Sequence, residues 1–217
     1  MEAVTDSFRS CLLSGGASRR MGRDKGMLPH PAGGTWLEQS LGLLLAIGQP
    51  VTLITRHSAH RLRADALMAK RQAGGLSTPH LAVFREPPPW DGPLRALARL
   101  MERYPEERLL LCPVDMPLLD VPTLEALIAA ASGDPDRERI HLAHDGQRLQ
   151  PLLGLMPATA DRRRRLEAAL EKGQRGIQGW LASEAWVSVP LSPGPLRNIN
   201  RPEDLDPSVF LFAAPSS

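Results

Sequence analysis

The chain has few cysteines, few aromatic residues and almost no net charge. Two cysteines in 217 residues exclude a disulfide scaffold, and no paired spacing of metal ligands suggests a zinc site. We therefore expect Cys11 and Cys112, each inside an apolar run, to be buried and reduced thiols. A formal net charge of +2 and an aromatic content of 4% do not indicate a nucleic-acid-binding protein.

Long apolar runs are also missing. None approaches the roughly 20 residues that a membrane span requires. The N-terminus carries Glu2 and Asp6 and lacks the apolar segment of a secretory signal. We therefore predict a cytoplasmic protein that binds neither membranes nor nucleic acid. The length allows a buried sheet, and without an internal repeat or linker it favours a single domain over 1–217.

Several conspicuous residues have simpler interpretations. The four arginines at 162–165 stand among Asp161, Glu167 and Glu171, which favours a solvated helix face with i,i+4 ion pairs. His57 and His60 lie three residues apart without a third ligand, so we interpret their spacing as incidental. The four tryptophans are predicted to be packing residues rather than a stacking platform.

Short apolar segments alternate with helical patterns through the first 131 residues. The predicted strands cover 10–13, 51–55, 81–84 and 108–112, and the predicted helices cover 37–47, 59–70, 93–101 and 121–131. Thr35 and Glu38 have the spacing of a capping box. In the second half, strands at 140–143 and 152–156 flank the hairpin signal Asp145-Gly146, and a helix at 160–172 and a strand at 186–189 follow. This order predicts an α/β fold of three layers, Rossmann-like, with a mostly parallel sheet, helices on both faces and an antiparallel hairpin in the second half.

One stretch joins the first predicted strand to glycines and then to cations. Gly15 and Gly16 let the backbone turn so that the N–H groups from Ser14 to Gly16 can converge on an anion. Four cations follow, at Arg19, Arg20, Arg23 and Lys25. The spacing matches neither a P-loop nor a dinucleotide fingerprint. The residues alone leave two interpretations open, a polyphosphate-binding loop and an ordinary surface turn.

Asp115 follows the most apolar predicted strand, between Pro113 and Pro117. Because the carboxyl ends of parallel strands meet at one edge of a sheet, we expect it on the same edge as the glycines. A carboxylate in a stiff loop suits a hard cation such as Mg²⁺, although aspartate is also a common turn former.

These stretches resemble the molybdenum cofactor guanylyltransferase family, within the pyrophosphate-releasing nucleotidyltransferases. The family signature reads Leu-Ala-Gly-Gly, a few residues, Arg-Arg-Met-Gly and Asp-Lys, and the chain matches it from Leu13 to Lys25 with Ser14 at the alanine position. The segment 112–117 resembles the metal-binding segment of the family. Further matches are at 92–94, 144–146, 150–151 and 198–205.

The resemblance implies transfer of GMP from GTP to the terminal phosphate of molybdopterin, with release of pyrophosphate and formation of the guanine dinucleotide cofactor. It implies Mg²⁺ as cofactor, bound by Asp115, and catalytic roles for Lys25, Arg20 and Asp115. The implied nucleotide-binding residues are Leu13, Ser14, Gly15, Gly16, Arg19, Lys25, Glu86, Gly92 and Asp115. The implied acceptor-binding residues are Gln150, Asn198 and Asn200. Residues 1–131 would then form the nucleotide-binding half and 132–217 the acceptor-binding half. The implied partners are the two substrates and, transiently, other molybdenum cofactor biosynthesis proteins or recipient molybdoenzymes.

Two departures from the family pattern concern the nucleotide. The family usually has an aspartate after its third strand, where this chain has Arg85-Glu86, and Ala96 replaces the second glycine of Gly-Pro-Leu-Ala-Gly. Two alternatives therefore stay open: a related enzyme that uses CTP or another phosphorylated acceptor, and a non-catalytic protein that binds a nucleotide or pterin. Asp24 has two interpretations as well, a residue that orients Lys25 or Arg20 and an exposed charge.

Overall fold

The computed structural model describes residues 7–16, 21–76 and 79–204. The strands are β1 (Arg9–Leu13), β2 (Val51–Thr55), β3 (Leu81–Arg85), β4 (Arg108–Pro113), β5 (Ile140–His144), β6 (Leu149–Pro157) and β7 (Trp186–Pro190). The helices are α1 (Trp36–Ala46), α2 (Ser58–Ala73), α3 (Pro93–Arg103), α4 (Val121–Gly133), α5 (Ala160–Glu171) and α6 (Ile177–Leu181), and short 3₁₀ turns lie at Lys25–Met27 and Pro202–Asp204.

The seven strands form one sheet in the order β3-β2-β1-β4-β6-β5-β7. Strands β1 to β4 pair in parallel, and β5 pairs in parallel with β7. Strand β6 runs antiparallel to both β4 and β5, and Asp145 closes the β5–β6 hairpin by accepting the Gln147 and Arg148 N–H groups. The predicted α/β fold, mostly parallel with an antiparallel hairpin, is confirmed.

Helices cover both faces of the sheet because its central strands are apolar on both sides. Helices α1, α2 and α4 pack on one face, against residues such as Leu12 and Leu110. Helices α3, α5 and α6 pack on the other, against Cys11 and Leu111. Successive residues of β1 thus enter different cores, as the pleat of a strand requires.

Local signals fix several helix starts. The Thr35 side chain accepts the Glu38 N–H and Glu38 Oε2 accepts the Thr35 N–H, so the predicted capping box of α1 is present. Asp120 caps α4 by accepting the Thr123 N–H. At α3, Gly92 precedes Pro93 with φ of 95°, and a Cβ on Gly92 would lie 3.1 Å from the Arg175 carbonyl oxygen. Glycine is required there for both reasons.

Two expectations need correction, and one helix was not expected. Arg162 does not lie on a solvated helix face: its side chain is buried and bonds Glu184, the Pro157 carbonyl and the Glu138 carbonyl. Trp90 and Trp186 are 51% and 42% exposed, so packing describes only the buried Trp36 and Trp180. Helix α6 was not predicted, because a five-residue helix has too few turns for a periodic pattern.

Both cysteines are free and buried, as expected. Burial raises the pKa of the Cys112 thiol to about 12 and raises the pKa of Cys11 as well, so neither is a reactive thiolate at neutral pH. Among the helices of the described residues, none is both long and apolar enough to cross a membrane.

Candidate functional site

The carboxyl ends of β1, β2, β3 and β4 surround a cavity of about 330 Å³. This volume lies within the usual range for small-ligand sites, and the strand ends are where α/β sheets bind ligands. The predicted nucleotide-binding residues that line it are Leu13, Ser14, Gly15, Gly16, Lys25, Glu86, Gly92 and Asp115. Arg19 and the predicted catalytic residue Arg20 lie outside the described residues.

The glycine loop leaves β1 at Ser14. The Ser14 N–H donates to the Ile54 carbonyl at 3.0 Å and so continues the sheet, which corrects the expectation that this amide faces an anion. Gly15 and Gly16 form the loop that borders the cavity. The Ser14 hydroxyl oxygen is buried and has no hydrogen-bond partner within the part of the chain that the structure describes.

Lys25 and Asp115 meet across the cavity although 90 residues separate them. Lys25 Nζ lies 3.1 Å from Asp115 Oδ2 and 2.7 Å from Asn200 Oδ1. The Ile199 N–H donates to the Asp115 carbonyl at 2.9 Å, which fixes the C-terminal segment beside the loop that follows β4. Both charged residues were predicted site residues, and the fold brings the Lys25 ammonium into contact with the Asp115 carboxylate.

The turn that carries Lys25 is held by Asp24. Asp24 Oδ1 accepts the Gly26 N–H at 3.0 Å, and His60 Nε2 lies 2.7 Å from Asp24 Oδ2. Burial by itself would raise the pKa of Asp24, but the hydrogen bond and charge of His60, together with His57 and the Gly26 amide, hold it below its usual value. The interpretation of the His57 and His60 spacing as incidental concerned a metal site, which this contact does not indicate; His60 instead bonds Asp24, and Asp24 is not merely an exposed charge.

Glu86, rather than Arg85, faces the cavity. Glu86 is 6% exposed and Arg99 Nη1 lies 2.6 Å from its Oε1, whereas Arg85 is exposed. Burial raises the pKa of the Glu86 carboxyl in spite of the opposing effect of Arg99. Ala96, the residue in place of the second family glycine, also lines the cavity.

The predicted acceptor-binding residues form a second group beside the cavity. Asn198 Nδ2 donates to Gln150 Oε1 at 2.8 Å, and Gln150 Nε2 donates to Asp145 Oδ2 at 2.9 Å. Asn200 belongs to the Lys25 contact instead. The hairpin and the C-terminal segment therefore meet on the side of Asp115.

Sequence reasoning missed Arg56 and Trp90 as cavity residues. Arg56 Nη2 donates to the Gly16 carbonyl at 3.3 Å, and its Cζ lies 5.4 Å from the centroid of the Trp90 ring. Arg56 directly follows β2, so the argument used for Asp115 would have found it. No comparable signal marks Trp90, which reaches the cavity from the loop before α3.

The residues at this edge fit a magnesium ion. Mg²⁺ is usually bound by one or two carboxylates, with water and substrate phosphates completing its ligands. Asp115 supplies one partly exposed carboxylate beside the glycine loop. The described residues contain no group of three or more His, Cys, Asp or Glu side chains that could hold a metal, so an ion here would depend on substrate oxygens.

Comparison with known proteins identifies the family. Residues 10–188 match the model of the MobA-like NTP transferase domain. The chain is 31% identical over 201 residues to the "Probable molybdenum cofactor guanylyltransferase" of Rhodopirellula baltica, covering 90% of this chain and 89% of that protein. The chain belongs to the MobA-like NTP transferase family. It is accordingly a nucleotidyltransferase, an enzyme.

Further relatives agree with this MobA-like assignment. The "Molybdenum cofactor guanylyltransferase" of Ectopseudomonas mendocina is 32% identical over 202 residues, which cover 89% of this chain and 88% of that protein. The crystal structure of "Molybdopterin-guanine dinucleotide biosynthesis protein A" from Archaeoglobus fulgidus superposes with a TM-score of 0.62 at 19% identity, over 91% of this chain and 95% of that one. At that identity the structural likeness supports the fold alone.

Proposed function

We propose that this MobA-like nucleotidyltransferase transfers GMP from GTP to the terminal phosphate of molybdopterin, releasing pyrophosphate and forming the guanine dinucleotide cofactor. The observation that carries the proposal is the convergence of Lys25, Asp115 and the glycine loop on one cavity. The relatives that share 31–32% identity with the chain are named for guanylyl transfer, and this supports the choice of GTP and of a molybdenum cofactor precursor.

The chemistry is mainly one of charge. The attacking phosphate and the α-phosphate of GTP are both anionic, so bringing them together requires positive charge and exact orientation. Lys25 would place its ammonium against the phosphates, with Gly15 and Gly16 allowing close approach of the backbone. Mg²⁺ held by Asp115 would supply further positive charge to the phosphate oxygens when it is bound. No general base is required, because a phosphate monoester is already ionised at neutral pH.

The contact between Asp115 and Lys25 is compatible with this role. In the structure the Asp115 carboxylate neutralises the Lys25 ammonium at 3.1 Å. An incoming triphosphate would offer Lys25 several oxygens in exchange for one carboxylate oxygen, and Asp115 would then be free to hold the cation.

The remaining polar groups suit the acceptor and the base. Gln150 and Asn198, bonded to each other beside Asp115, offer amide groups for the pterin side of the acceptor. Glu86 offers a carboxylate that can accept hydrogen bonds from guanine N–H groups, as the family aspartate would. We also propose a cytoplasmic location and transient contacts with other molybdenum cofactor biosynthesis proteins or recipient molybdoenzymes, which would supply the acceptor and receive the product.

A conversion assay tests the proposal. Purified chain, molybdopterin and Mg²⁺ are incubated separately with GTP, CTP and ATP, and pyrophosphate and the dinucleotide product are quantified. We expect product with GTP, little with CTP or ATP, and none without molybdopterin. Turnover with CTP instead of GTP would favour the cytidylyl alternative, and nucleotide binding without any turnover would favour a non-catalytic role.

A further inference from the structure

The segments 13–16 and 24–27, which carry the glycines and Lys25, lie close together, and a buried histidine contributes to the contacts between them. His60, in the first turn of α2, is 0% exposed. Its Nε2 lies 2.7 Å from Asp24 Oδ2 and its Nδ1 lies 2.7 Å from Thr55 Oγ1. The ring therefore spans from the Lys25-bearing turn to the end of β2.

The Thr55 side of this chain of contacts leads to the glycine loop. Thr55 Oγ1 lies 3.1 Å from the Ser14 carbonyl oxygen and accepts the His57 N–H at 3.1 Å. The contacts of Thr55 Oγ1 with Ser14 and His60 are buried, so water competes for these hydrogen bonds only weakly. The position of the His60 ring is thus fixed relative to Ser14.

The Asp24 side leads to Lys25. An ionised carboxylate only accepts hydrogen bonds, so His60 Nε2 donates to Asp24 Oδ2, while Asp24 Oδ1 caps the Lys25–Met27 turn through the Gly26 N–H. The turn also packs directly on the ring: a Cβ on Gly26 would lie 3.0 Å from His60 Nε2 and 3.0 Å from Ser14 Oγ. Movement of the His60 ring would consequently move the turn.

We infer that His60 is a positioning residue that holds the Lys25 ammonium beside the glycine loop. In this position the ammonium would make the site prefer a triphosphate to a monophosphate. The inference rests on the proposed function, because it takes the cavity to be the GTP site. Lys25 Nζ already meets Asp115 Oδ2 at 3.1 Å, and small displacements of such a group are costly to the interactions it makes. His60 itself does not line the cavity and has no proposed contact with a ligand.

A buried histidine–aspartate pair elsewhere provides a matched control. His141 is 2% exposed, and its Nε2 lies 3.1 Å from Asp134 Oδ2. Neither residue lines the cavity. Replacing His141 by leucine therefore removes a similar buried contact without touching the Lys25 turn, so it separates general loss of stability from a specific effect on the site.

The experiment compares the affinities for GTP and GMP in the presence of Mg²⁺, measured by calorimetry on the full chain. For His60→Leu we expect the ratio of the GMP to the GTP dissociation constant to fall about tenfold, the order of one charge-assisted hydrogen bond, mainly through weaker GTP binding. For His141→Leu we expect the wild-type ratio, even if its melting temperature falls as much as that of His60→Leu. An unchanged ratio in His60→Leu would overturn the inference.

Two further variants examine the contact itself. His60→Gln can still donate to Asp24 and is expected to keep a ratio closer to wild type than His60→Leu; equal ratios in the two would contradict a role for the donor. If His60→Leu does not fold, Asp24→Asn tests the same contact by changing its more exposed partner. Removing a negative charge near the phosphates would by itself tighten GTP binding, whereas the inference expects weaker binding, so the two explanations differ in sign.

The wild-type measurement separates this inference from the proposed function. A wild-type chain that binds GTP no better than GMP would overturn both. A clear wild-type preference that survives in His60→Leu and in Asp24→Asn would overturn only the role of His60.

Discussion

At the scale of single residues, the site combines charges that local sequence can name but cannot place together. Lys25 was recognisable as one of the cations that follow the glycines, and Asp115 as the aspartate that follows an apolar strand. Their 3.1 Å contact depends on the parallel pairing of β1 with β4, which brings the two loops to one edge. His60 and Arg56 belong to no catalytic pattern, and the structure showed their contacts at this site.

Asp115→Asn should abolish transfer while the chain stays folded. The substitution keeps the size of the side chain but removes the negative charge that a magnesium ion requires, and the residue lies on a partly exposed loop. We expect a loss of at least about 100-fold in turnover, the order seen when one electrostatic group is lost from an active site. Pyrophosphate release measures turnover and circular dichroism measures folding. Asp65→Asn, on the exposed face of α2, is the control, and full activity of Asp115→Asn would remove the assignment of this residue.

Lys25→Met should weaken binding of GTP more than binding of guanosine. Methionine retains most of the aliphatic length but loses the ammonium that contacts Asp115 and Asn200. We expect roughly a tenfold or larger loss of GTP affinity and little change for the nucleoside, measured by calorimetry. An equal loss for both ligands would show that the side chain shapes the cavity instead of binding phosphate.

At the scale of secondary-structure elements, the arginine-rich helix α5 differs most from its sequence pattern. A run of four arginines predicts a solvated face, and Arg163 and Arg164 do pair with Glu167 and Asp161. Arg162 and Arg165 instead both bond Glu184, whose side chain is 0% exposed. The sequence separation of about 20 residues hides this pairing, because periodicity reports only neighbours on one helix.

Glu184→Gln should destabilise the fold in a pH-dependent way. Removing one partner leaves the buried Arg162 uncompensated, which costs about 3 kcal/mol in the free energy of unfolding. Burial would raise the pKa of Glu184, but the bonds from Arg165 and Arg162 outweigh it and hold the pKa below the ordinary 4.5. The ion pair therefore contributes its full share of the free energy of unfolding above pH 4.5. This contribution is lost as the pH falls through the lower pKa that Glu184 has in the folded state.

Urea unfolding at several pH values measures this effect. The difference in the free energy of unfolding between wild type and Glu184→Gln should be largest near neutral pH and should shrink as the solution is acidified below pH 4.5. Glu171→Gln, an exposed substitution on the same helix, should show little difference at any pH. A difference that is independent of pH would mean that packing, rather than charge, accounts for the stabilisation by Glu184.

Thr35→Ala should lower stability through the N-terminus of α1. It removes the oxygen that accepts the Glu38 N–H in the capping box, which costs about 1 kcal/mol. For a chain of this length that corresponds to a fall of roughly 2–4 °C in melting temperature. Thr35→Ser keeps the oxygen and should stay within about 1 °C of wild type. A similar fall in both variants would point to the lost methyl group.

At the scale of the whole molecule, the C-terminal segment completes the site from a distance in sequence. Asn200 reaches Lys25, Asn198 reaches Gln150, and the Ile199 N–H bonds the Asp115 carbonyl. Groups from three regions of the chain therefore meet beside one cavity. A ligand bound there would contact loops from several strands at once and should stabilise the fold as a unit.

GTP with Mg²⁺ should raise the melting temperature of the whole chain. At a free concentration 100 times the dissociation constant, a ligand specific to the native state adds about 2.7 kcal/mol, or roughly 5–11 °C for a chain of this length. Differential scanning fluorimetry with GTP, CTP and ATP, each with and without EDTA, measures the shift. The absence of a shift with GTP at any concentration would argue against a nucleotide site in this cavity.

The sequence by itself determined the fold class, the element order and most of the chemistry-bearing residues. The alternation of apolar strands and amphipathic helices is local, and so are the capping box at Thr35 and the hairpin turn at Asp145. Resemblance to a family added the roles of Lys25, Asp115 and Asn198. These features depend on neighbouring residues and on matched motifs, which can be read without knowing how distant parts pack.

Only the tertiary structure decided which distant groups meet. The choice of Glu86 over Arg85 at the cavity, the contact of Lys25 with Asn200, and the burial of His60 and Arg162 depend on which elements pack together. In each case a charged or polar side chain finds its partner 13 to 175 residues away. Such pairing follows from strand order and helix packing, because these bring together residues whose separation along the chain carries no periodic signal.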